Sequence, residues 1–320
     1  ALACAGLAPT DLDLIVFGSC SAEEAVPNTA SGLQYRLGAV NAGAMDVNTA
    51  CTSFLYGLSA ASGMIRAGTV RRALVVGVET ISPFMDWDNR NVAVLFGDGC
   101  AAVVLEASDR EEGVLAEKLG CYADARHILR VRGHGTTYGN RGAVYGDTLW
   151  DFDGQEIFKR AVHGMSESAA EALVRAGKTP ADIDLMVPHQ ANLRIIEFVA
   201  RRAGIEMDRV FVTVHKYGNM SAATVPVALV DAVEDGRVAP GALLLTPAFG
   251  AGLTWCSHVI RWGERVTPRD GTDVDLPPCD RTALEMVNAL RAAKAAKERS
   301  RAGLNAPVFP ESPATGAAAT

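Results

Sequence analysis

The sequence predicts an α/β fold made of two halves of similar design. Short apolar runs alternate with longer segments of helical periodicity along its 320 residues, a pattern typical of a mostly parallel sheet packed with helices. GLAPTDLDLIV at 6–16 resembles GKTPADIDLMV at 177–187, and the same offset also relates Asn48 to Asn219. A basic turn before an apolar run recurs at this offset, at 66–77 and 237–248. Three segment pairs that share one offset favour duplication over chance similarity.

The individual elements follow from periodicity and from capping residues. Strands are predicted at 13–17, 43–48, 72–78, 93–105, 183–188, 209–213, 242–247 and 253–262. Helices are predicted at 28–37, 52–67, 154–176, 191–204, 220–235 and 282–300. The helix at 154–176 has the clearest signal, because Asp153 can cap it and its apolar residues recur at helical spacing.

We therefore expect an N-terminal half over 1–110, a C-terminal half over 111–264 and a C-terminal extension over 265–320. The extension should begin as an Ala/Arg/Lys-rich helix and end in a disordered low-complexity tail. The first residues are predicted to be the last turns of a helix that ends at Gly6. The second half has a longer segment before its copy of the repeat. The first strands of the N-terminal half are thus expected to be missing from this chain.

Composition excludes several classes of protein. The formal net charge is -7, whereas nucleic-acid-binding domains are usually basic. The sequence has no apolar run of the length expected of a membrane span, which is roughly 18 residues or more. The seven cysteines form no C-x-x-C pair, so we expect neither a zinc site nor a disulfide framework, and a reducing cytoplasm is the expected location.

Cys51 is the first candidate for chemistry. In DVNTACTSFLYGL, at 46–58, a strand ends near Val47 and a helix begins near Cys51. The positive end of a helix dipole lowers the pKa of a thiol, and the turn leaves a backbone N–H free to bind an oxyanion. The alternative is a buried cysteine that acts as a small apolar residue.

His189 and Asn219 are the next candidates. His189 follows an apolar strand that ends at Pro188, and α/β folds bind ligands at the carboxyl ends of strands. Asn219 follows Gly218 and precedes an alanine-rich helix, in the segment that corresponds by the repeat to the one holding Cys51. Taken alone, His189 could be structural and Asn219 could be only a helix cap.

A glycine-rich turn, PAFGAGLTW at 247–255, separates two apolar runs. It lacks the lysine and the following helix of a phosphate-binding loop. It is either an ordinary hairpin turn or a place where a backbone N–H approaches a ligand.

These motifs together resemble one family, β-ketoacyl-acyl-carrier-protein synthase III of the thiolase superfamily. Cys51 in DVNTACTSF, His189 in VPHQANLRII and Asn219 in YGNMSAATVPVAL resemble its Cys-His-Asn triad. DWDNRNVAVLFGDG at 86–99 and FGAGLTW at 249–255 add two further matches. The resemblance implies a duplicated α/β/α/β/α sandwich, whose first strands would precede this chain, and a natural protein longer than this chain.

The resemblance also implies a mechanism. Cys51 would attack an acyl-CoA, and the backbone N–H groups of Cys51 and Ala251 would form the oxyanion hole. Malonyl-acyl-carrier protein would then lose CO₂ while neutral His189 and Asn219 donate hydrogen bonds to the enolate, and the product would be a 3-ketoacyl-acyl-carrier protein. No metal or organic cofactor is expected. Related elongating enzymes use two histidines, so Asn219 argues against them.

Further residues take expected roles from the same resemblance. Arg90 would contact the nucleotide end of CoA, Arg194 would lie at the tunnel mouth, and Val26 would border the acyl pocket across a homodimer interface. Because Val26 is smaller than the aromatic residue common there, primers of about six to ten carbons are expected, with roughly 0.8 kcal/mol gained per buried methylene. A basic patch for the acidic carrier protein is expected at Lys159, Arg194, Arg201 and Arg202. A solvated helix face is the alternative for Arg201 and Arg202.

Two other functions compete. The chain could be a related condensing enzyme of secondary metabolism or of long-chain acyl-CoA condensation. It could also be a non-catalytic scaffold, although the complete Cys-His-Asn set argues against that.

Overall fold

The computed structural model of the protein describes residues 1–133 and 148–302. Its strands are β1 Leu14–Gly18, β2 Gly43–Val47, β3 Arg72–Glu79, β4 Gly99–Glu106, β5 Gly113–Cys121, β6 Leu129–Arg132, β7 Leu149–Phe152, β8 Leu185–Met186, β9 Leu243–Leu245, β10 Ala248–Gly250 and β11 Thr254–Arg261. Its helices are α1 Leu2–Ala5, α2 Thr29–Leu37, α3 Ser53–Arg66, α4 Arg90–Ala93, α5 Gly154–Arg175, α6 Leu193–Ala203, α7 Val214–Tyr217, α8 Thr224–Glu234 and α9 Ala283–Ala302.

Two main sheets carry the fold. The first has the strand order β2-β1-β3-β4, and the second has the order β10-β11-β9-β8 with β5 paired to the free side of β11. Parallel pairs join β1 to β2 and β3, and β8 to β9. The other pairs of these sheets, β3 with β4 and β11 with β5, β9 and β10, are antiparallel. Both sheets are mixed, so the expectation of a mostly parallel sheet holds for the first sheet and is wrong for the second.

The duplication is visible in the strand registers. Leu14 lies opposite Ala73 in the first sheet, and Leu185 lies opposite Leu244 in the second, so both partners are displaced by the offset of the sequence repeat. The 3₁₀ turns before the two strands, Pro9–Asp11 and Pro180–Asp182, obey the same offset. The repeat seen in the sequence thus extends to individual backbone pairings.

Helix α3 packs in the core between the two sheets. Its buried residues Phe54, Leu55 and Leu58 share one hydrophobic cluster with Val16 of the first sheet and Leu244 of the second. Apolar residues at this spacing place one face of the helix in the interior. Each such side chain contributes about 1.5–3 kcal/mol when it is fully buried, so this layer fixes the position of the helix start.

Two predicted strands are wrong. The segment 93–105 begins as the end of α4 and a turn, and its strand starts only at Gly99. The segment 209–213 forms a single bridge, between Val210 and Met186. The Gln190 side chain takes the place of a neighbouring strand there, because its amide donates to Phe211 O at 3.0 Å and accepts from Thr213 N–H at 2.8 Å.

Four strands were not predicted at all: β5, β6, β7 and β10. Strand β5 (GVLAEKLGC) mixes charged and apolar residues, and β6 and β7 are four residues each, so none carries a long apolar run. The turn between β10 and β11 is a hairpin, as one of the two readings of the glycine-rich segment expected.

The C-terminal extension begins without regular structure and then forms α9. Arg291 forms an ion pair with Asp88, and Lys294 forms one with Asp86 at 3.1 Å, so the helix contacts the loop before α4. The predicted disordered tail at 303–320 lies outside the described residues. Among the helices that the structure describes, none is both long enough and apolar enough to span a bilayer.

Candidate active site

A cavity of about 220 Å³ lies where the two halves meet. Cys51 and Ala251 line it together with His189 and Asn219, so the four residues singled out for chemistry surround one space. Most of the remaining wall is apolar, with aromatic side chains from several loops and strands: Phe84, Phe96, Trp150, Phe152, Phe158 and Phe249. Such a wall suits an apolar group that ends in a polar reacting centre.

Cys51 lies in a 3₁₀ turn, Ala50–Thr52, that leads directly into α3. Gly250 of the β10–β11 hairpin packs against this turn, and a Cβ there would lie 2.9 Å from the Cys51 backbone nitrogen. Glycine is therefore required at this point. The close approach brings the next residue of the hairpin, Ala251, to the thiol.

Burial raises the pKa of the Cys51 thiol to about 11. The nearby Ser221 hydroxyl and the backbone N–H groups of Cys51 and Ala251 oppose this rise, and the Glu79 carboxylate adds to it. The expectation that the helix start lowers this pKa is wrong for the free thiol, because desolvation outweighs the local dipoles. Both N–H groups expected in the oxyanion hole nevertheless lie near the sulfur.

His189 is held from two sides. Its backbone N–H donates to Pro247 O at 2.9 Å, and its Nδ1 lies 2.6 Å from the Thr224 hydroxyl. That hydroxyl has one proton and a second acceptor within reach, Ser221 O at 3.0 Å. Burial lowers the pKa of His189 to about 3, so the ring is neutral at physiological pH.

Asn219 presents its amino group to the cavity. Its side-chain oxygen accepts the Ser221 N–H at 2.8 Å, which leaves the amide N–H₂ as the part available to a ligand. Its backbone N–H donates to Leu95 O at 2.8 Å, and its own carbonyl accepts the Gly97 N–H at 3.1 Å. The segment wrongly predicted as a strand thus fixes Asn219 in place.

Known proteins share both the sequence and the fold. Residues 45–123 match the family 3-oxoacyl-[acyl-carrier-protein] synthase III, and residues 173–262 match its C-terminal part. A β-ketoacyl-[acyl-carrier-protein] synthase III 2 of Vibrio cholerae is 48% identical over 288 residues, which are 90% of this chain and 80% of that protein. The chain belongs to the β-ketoacyl-[acyl-carrier-protein] synthase III family.

Solved structures agree with this assignment to the synthase III family. The Pseudomonas aeruginosa enzyme superposes with a TM-score of 0.77 at 36% identity, over 84% of this chain and 81% of that one. The priming ketosynthase of the R1128 polyketide pathway gives 0.77 at 33% identity, over 82% and 79%. Membership confirms the predicted thiolase-like α/β fold and identifies the chain as a condensing acyltransferase.

None of the three expected substrate residues of this synthase III chain, Arg90, Arg194 and Val26, lines the cavity. Arg90 is exposed at the start of α4, close in sequence to the cavity residues Phe84 and Leu95. The Arg194 guanidinium stacks over the ring of Phe158, 5.5 Å from its centroid. Val26 is 85% exposed and does not line the cavity of the single chain.

The expected docking patch lies on α5 and α6, which pack side by side. Arg201 stacks over Phe198 at 5.2 Å, and the Phe158 and Phe198 rings meet edge to face at 5.5 Å. Lys159 and Arg202 are exposed, and Lys159 forms an ion pair with Glu156 at 3.5 Å. Cationic and aromatic groups therefore share this surface.

Four residues of the site were missed by the sequence analysis: Cys20, Glu79, Ser221 and Thr224. Cys20 and Ser221 line the cavity, and Thr224 contacts His189. No motif marks them, since their contacts join residues that are distant in the chain. The repeat offers one signal, because Ser221 corresponds to Ala50 beside the nucleophile. Among the described residues, no cluster of side chains fits a metal ion.

Proposed function

We propose that the protein condenses an acyl-CoA primer with malonyl-acyl-carrier protein and releases CO₂, CoA and a 3-ketoacyl-acyl-carrier protein. The observation that carries the proposal is the convergence of one thiol, two backbone N–H groups, one amide donor and one neutral imidazole on a single apolar cavity. These are the groups that a thioester exchange followed by a decarboxylation requires.

In the first half-reaction, Cys51 attacks the thioester carbon of the primer. The negative charge that develops on the carbonyl oxygen is stabilised by the N–H groups of Cys51 and Ala251. The CoA thiolate then leaves, and the acyl group remains on Cys51 with its chain against the aromatic wall. The buried thiol must lose its proton for this step.

In the second half-reaction, the malonyl group loses CO₂ and forms an enolate. The Asn219 amide donates one hydrogen bond to the enolate oxygen. His189 donates the other from Nε2 when Thr224 directs its hydroxyl proton to Nδ1, because the neutral ring then carries its own proton on Nε2. The enolate carbon attacks the Cys51 thioester and releases the thiolate.

The primer is proposed to be of medium chain length, about six to ten carbons. The support is the apolar cavity and the small Val26, which is exposed in the single chain and which we propose a second copy of the chain covers. We also propose that the protein is a homodimer and that it is located in the cytoplasm. The basic and aromatic face of Lys159, Arg194, Arg201 and Arg202 is proposed to dock the acidic carrier protein.

The secondary-metabolite alternative has one specific support, the 33% identity with the R1128 priming ketosynthase. OleA of Xanthomonas campestris, at 22% identity, shares the fold alone and supports neither alternative. The identity of 48% with the Vibrio cholerae synthase favours fatty-acid synthesis.

The test is to incubate the protein with acetyl-, hexanoyl-, octanoyl- and decanoyl-CoA and to locate the acyl group by mass spectrometry. The proposal predicts label on Cys51, with the fastest labelling by a primer of about six to ten carbons. A clear preference for acetyl-CoA would reject the medium-chain assignment. Absence of label on Cys51 with every primer would instead support the scaffold alternative.

A further inference from the structure

Glu79, at the end of β3, is a buried carboxylate beside the cavity, only 1% exposed. Its oxygens accept from the Cys20 N–H at 3.0 Å, the Cys20 thiol at 3.3 Å, and the hydroxyls of Ser21 at 2.7 Å and Ser221 at 3.1 Å. Ser19 lies at 3.5 Å. All of these donors are neutral, and among the described residues no cation forms an ion pair with Glu79. An unpaired buried carboxylate is costly, and the condensation as described does not use it.

Ser221 connects this carboxylate to the nucleophile. Its hydroxyl donates to Glu79 Oε1 at 3.1 Å. The 3₁₀ turn that begins at Ser221 packs directly against the turn that contains Cys51. Both Ser221 and Cys51 line the cavity. Ser221 also has φ of 48°, in the left-handed region that few residues other than glycine adopt, so the backbone is held in an unfavourable conformation where this hydroxyl is placed.

The charge balance of the site favours proton transfer along this path. If the Cys51 proton left for bulk water, a thiolate would form beside the Glu79 carboxylate, and two anions would share one buried site. If the proton moves to Glu79, the site holds one negative charge before and after the transfer. Burial raises the pKa of Glu79 as well, which makes the carboxylate a better proton acceptor.

We propose that Glu79 accepts the proton of Cys51 through Ser221 when acyl-CoA is attacked, an inference that rests on the proposed function. The S–H bond breaks, Ser221 Oγ takes this proton, and Ser221 passes its own proton to Glu79 Oε1. The sulfur bonds to the acyl carbon, and the CoA thiolate leaves with the electron pair and takes a proton from solvent. After condensation, Cys51 leaves its thioester as a thiolate and recovers the proton from Glu79.

The other titratable groups near this path are few. The Cys20 thiol, from the segment after β1, faces Glu79 Oε2 and bonds to it. The buried neutral His189 shares the cavity. On the side of β4, the Asp98 carboxylate accepts the N–H groups of Ile81 and Ser82, at 2.7 and 3.0 Å. Cys20 is therefore the only one of these groups in direct contact with Glu79.

The experiment measures the acylation rate of Cys51 by octanoyl-CoA from pH 6 to pH 9 in rapid-quench reactions, for wild type, Glu79→Gln and Ser221→Gly. Glycine suits the positive φ at 221 and keeps the backbone N–H that orients Asn219. In wild type the rate should vary little with pH, because the forms before and after transfer hold the same number of protons. Each variant should be at least about tenfold slower at pH 7 and should gain about tenfold per pH unit.

Three results would overturn the proposal. An acylation rate that is faster in Glu79→Gln at pH 7 would mean that Glu79 acts only as a repelling charge. An unchanged rate would mean that it has no part in acylation. A loss of equal size at every pH would indicate a structural role. Glu106→Gln, the same substitution on the adjacent strand β4, is the matched control and should leave the acylation rate unchanged, because it removes only a partly exposed ion pair with Arg72.

Alkylation of Cys51 by iodoacetamide, located by mass spectrometry, separates this proposal from the proposed function. It needs no acyl-CoA, so the relay predicts the same contrast in pH profile between wild type and Glu79→Gln even if no primer reacts. A wild-type alkylation rate that rises tenfold per pH unit, as in Glu79→Gln, would overturn the relay by itself.

Discussion

In both halves the central helix follows a turn of the same backbone conformation, but the side chains on the two turns differ in chemistry. Ala50, with φ of 52°, and Ser221, with φ of 48°, are the two residues other than glycine with positive φ in the described chain, and the offset of the repeat relates one to the other. Asn48 accepts the Ala50 N–H at 3.2 Å, and Asn219 accepts the Ser221 N–H at 2.8 Å. A shared turn therefore precedes both α3 and α8.

The side chains placed on this turn differ between the halves. The first half has Cys51 where the second has Ala222. The second half has His189 at the end of its strand, where the first has Gly18, and a Cβ on Gly18 would lie 2.8 Å from the Phe54 backbone nitrogen. The first half thus has space for a nucleophile and none for a histidine. The comparison teaches that one duplicated scaffold holds the nucleophile in its first half and, in its second half, the two side-chain donors proposed for the decarboxylation.

The largest effect should come from removing the nucleophile. Cys51→Ala should lose condensation by at least about 10³-fold, since the covalent route is closed. Ala222→Cys, at the equivalent position of the other half, should not restore it. The measurement is steady-state product formation with octanoyl-CoA and malonyl-acyl-carrier protein. Recovery of more than a few per cent in the double variant would show that the halves are interchangeable.

The second-largest effect on activity should come from Asn219, and the equivalent Asn48 should have little effect. Asn219→Ala should lower condensation by about 10²–10³-fold, the cost of one donor to a developing oxyanion. Asn48→Ala removes only the bond to the Ala50 N–H, so it should cost about 1 kcal/mol of stability and little activity. Condensation rates and urea midpoints of both variants check this. Equal losses of activity would contradict the division of roles.

Lowering the pH should reduce the free energy of unfolding, because the second half contains two buried histidines. Burial lowers the pKa of both His189 and His258 to about 3. The unfolded chain binds a proton at each as the pH falls through about 6.5, and the folded chain does not, so stability is lost from about pH 6.5 down to about pH 3. Each histidine should cost about 1.4 kcal/mol per pH unit in this window, or about 2 kcal/mol by pH 5.

His189→Asn isolates one of the two contributions. Urea denaturation at pH 7.5 and pH 5 should show a loss of stability smaller by about 2 kcal/mol than in wild type, because one titrating group is gone. Carboxylates contribute equally to both proteins and cancel. An identical loss in the two proteins would mean that His189 is not buried as a neutral ring.

The smallest effect should come from the residue that holds His189. Ser53 and Thr224 are equivalent, and each hydroxyl lies within hydrogen-bond distance of the carbonyl three residues earlier, but only Thr224 also reaches the histidine. Thr224→Val should lower condensation by about tenfold, through loss of the Nε2–H tautomer, and Thr224→Ser should keep it. The acylation half-reaction should be unchanged in both. A loss in Thr224→Ser as large as in Thr224→Val would contradict the role of the hydroxyl.

The sequence predicted the parts of this comparison that are local. Cys51, His189 and Asn219 each follow a strand or a glycine turn, and the offset of the repeat was readable because Asp13 and Asp184 recur with their neighbours. These carboxylates accept the N–H groups of Arg72 and Leu243, which are related by the same offset, and this explains why they are retained. Local signals of this kind need no tertiary information.

The parts that escaped prediction depend on distant contacts. Glu79 and Ser221 are 142 residues apart in the chain, and no sequence motif near either residue predicts their hydrogen bond. The pKa of Cys51 was predicted in the wrong direction, because the helix start is visible in sequence and the depth of burial is not. The strand predicted at 93–105 failed for a similar reason, since its first residues hold the Asn219 backbone.

The most direct test of the division between the halves follows the acyl group on Cys51 in Asn219→Ala by rapid quench and mass spectrometry. The account predicts that octanoyl-CoA loads Cys51 at the wild-type rate. Added malonyl-acyl-carrier protein should then discharge the acyl group about 10²–10³-fold more slowly than in wild type. Loading that is slowed as much as discharge would contradict the account, because it would make Asn219 part of the first half-reaction.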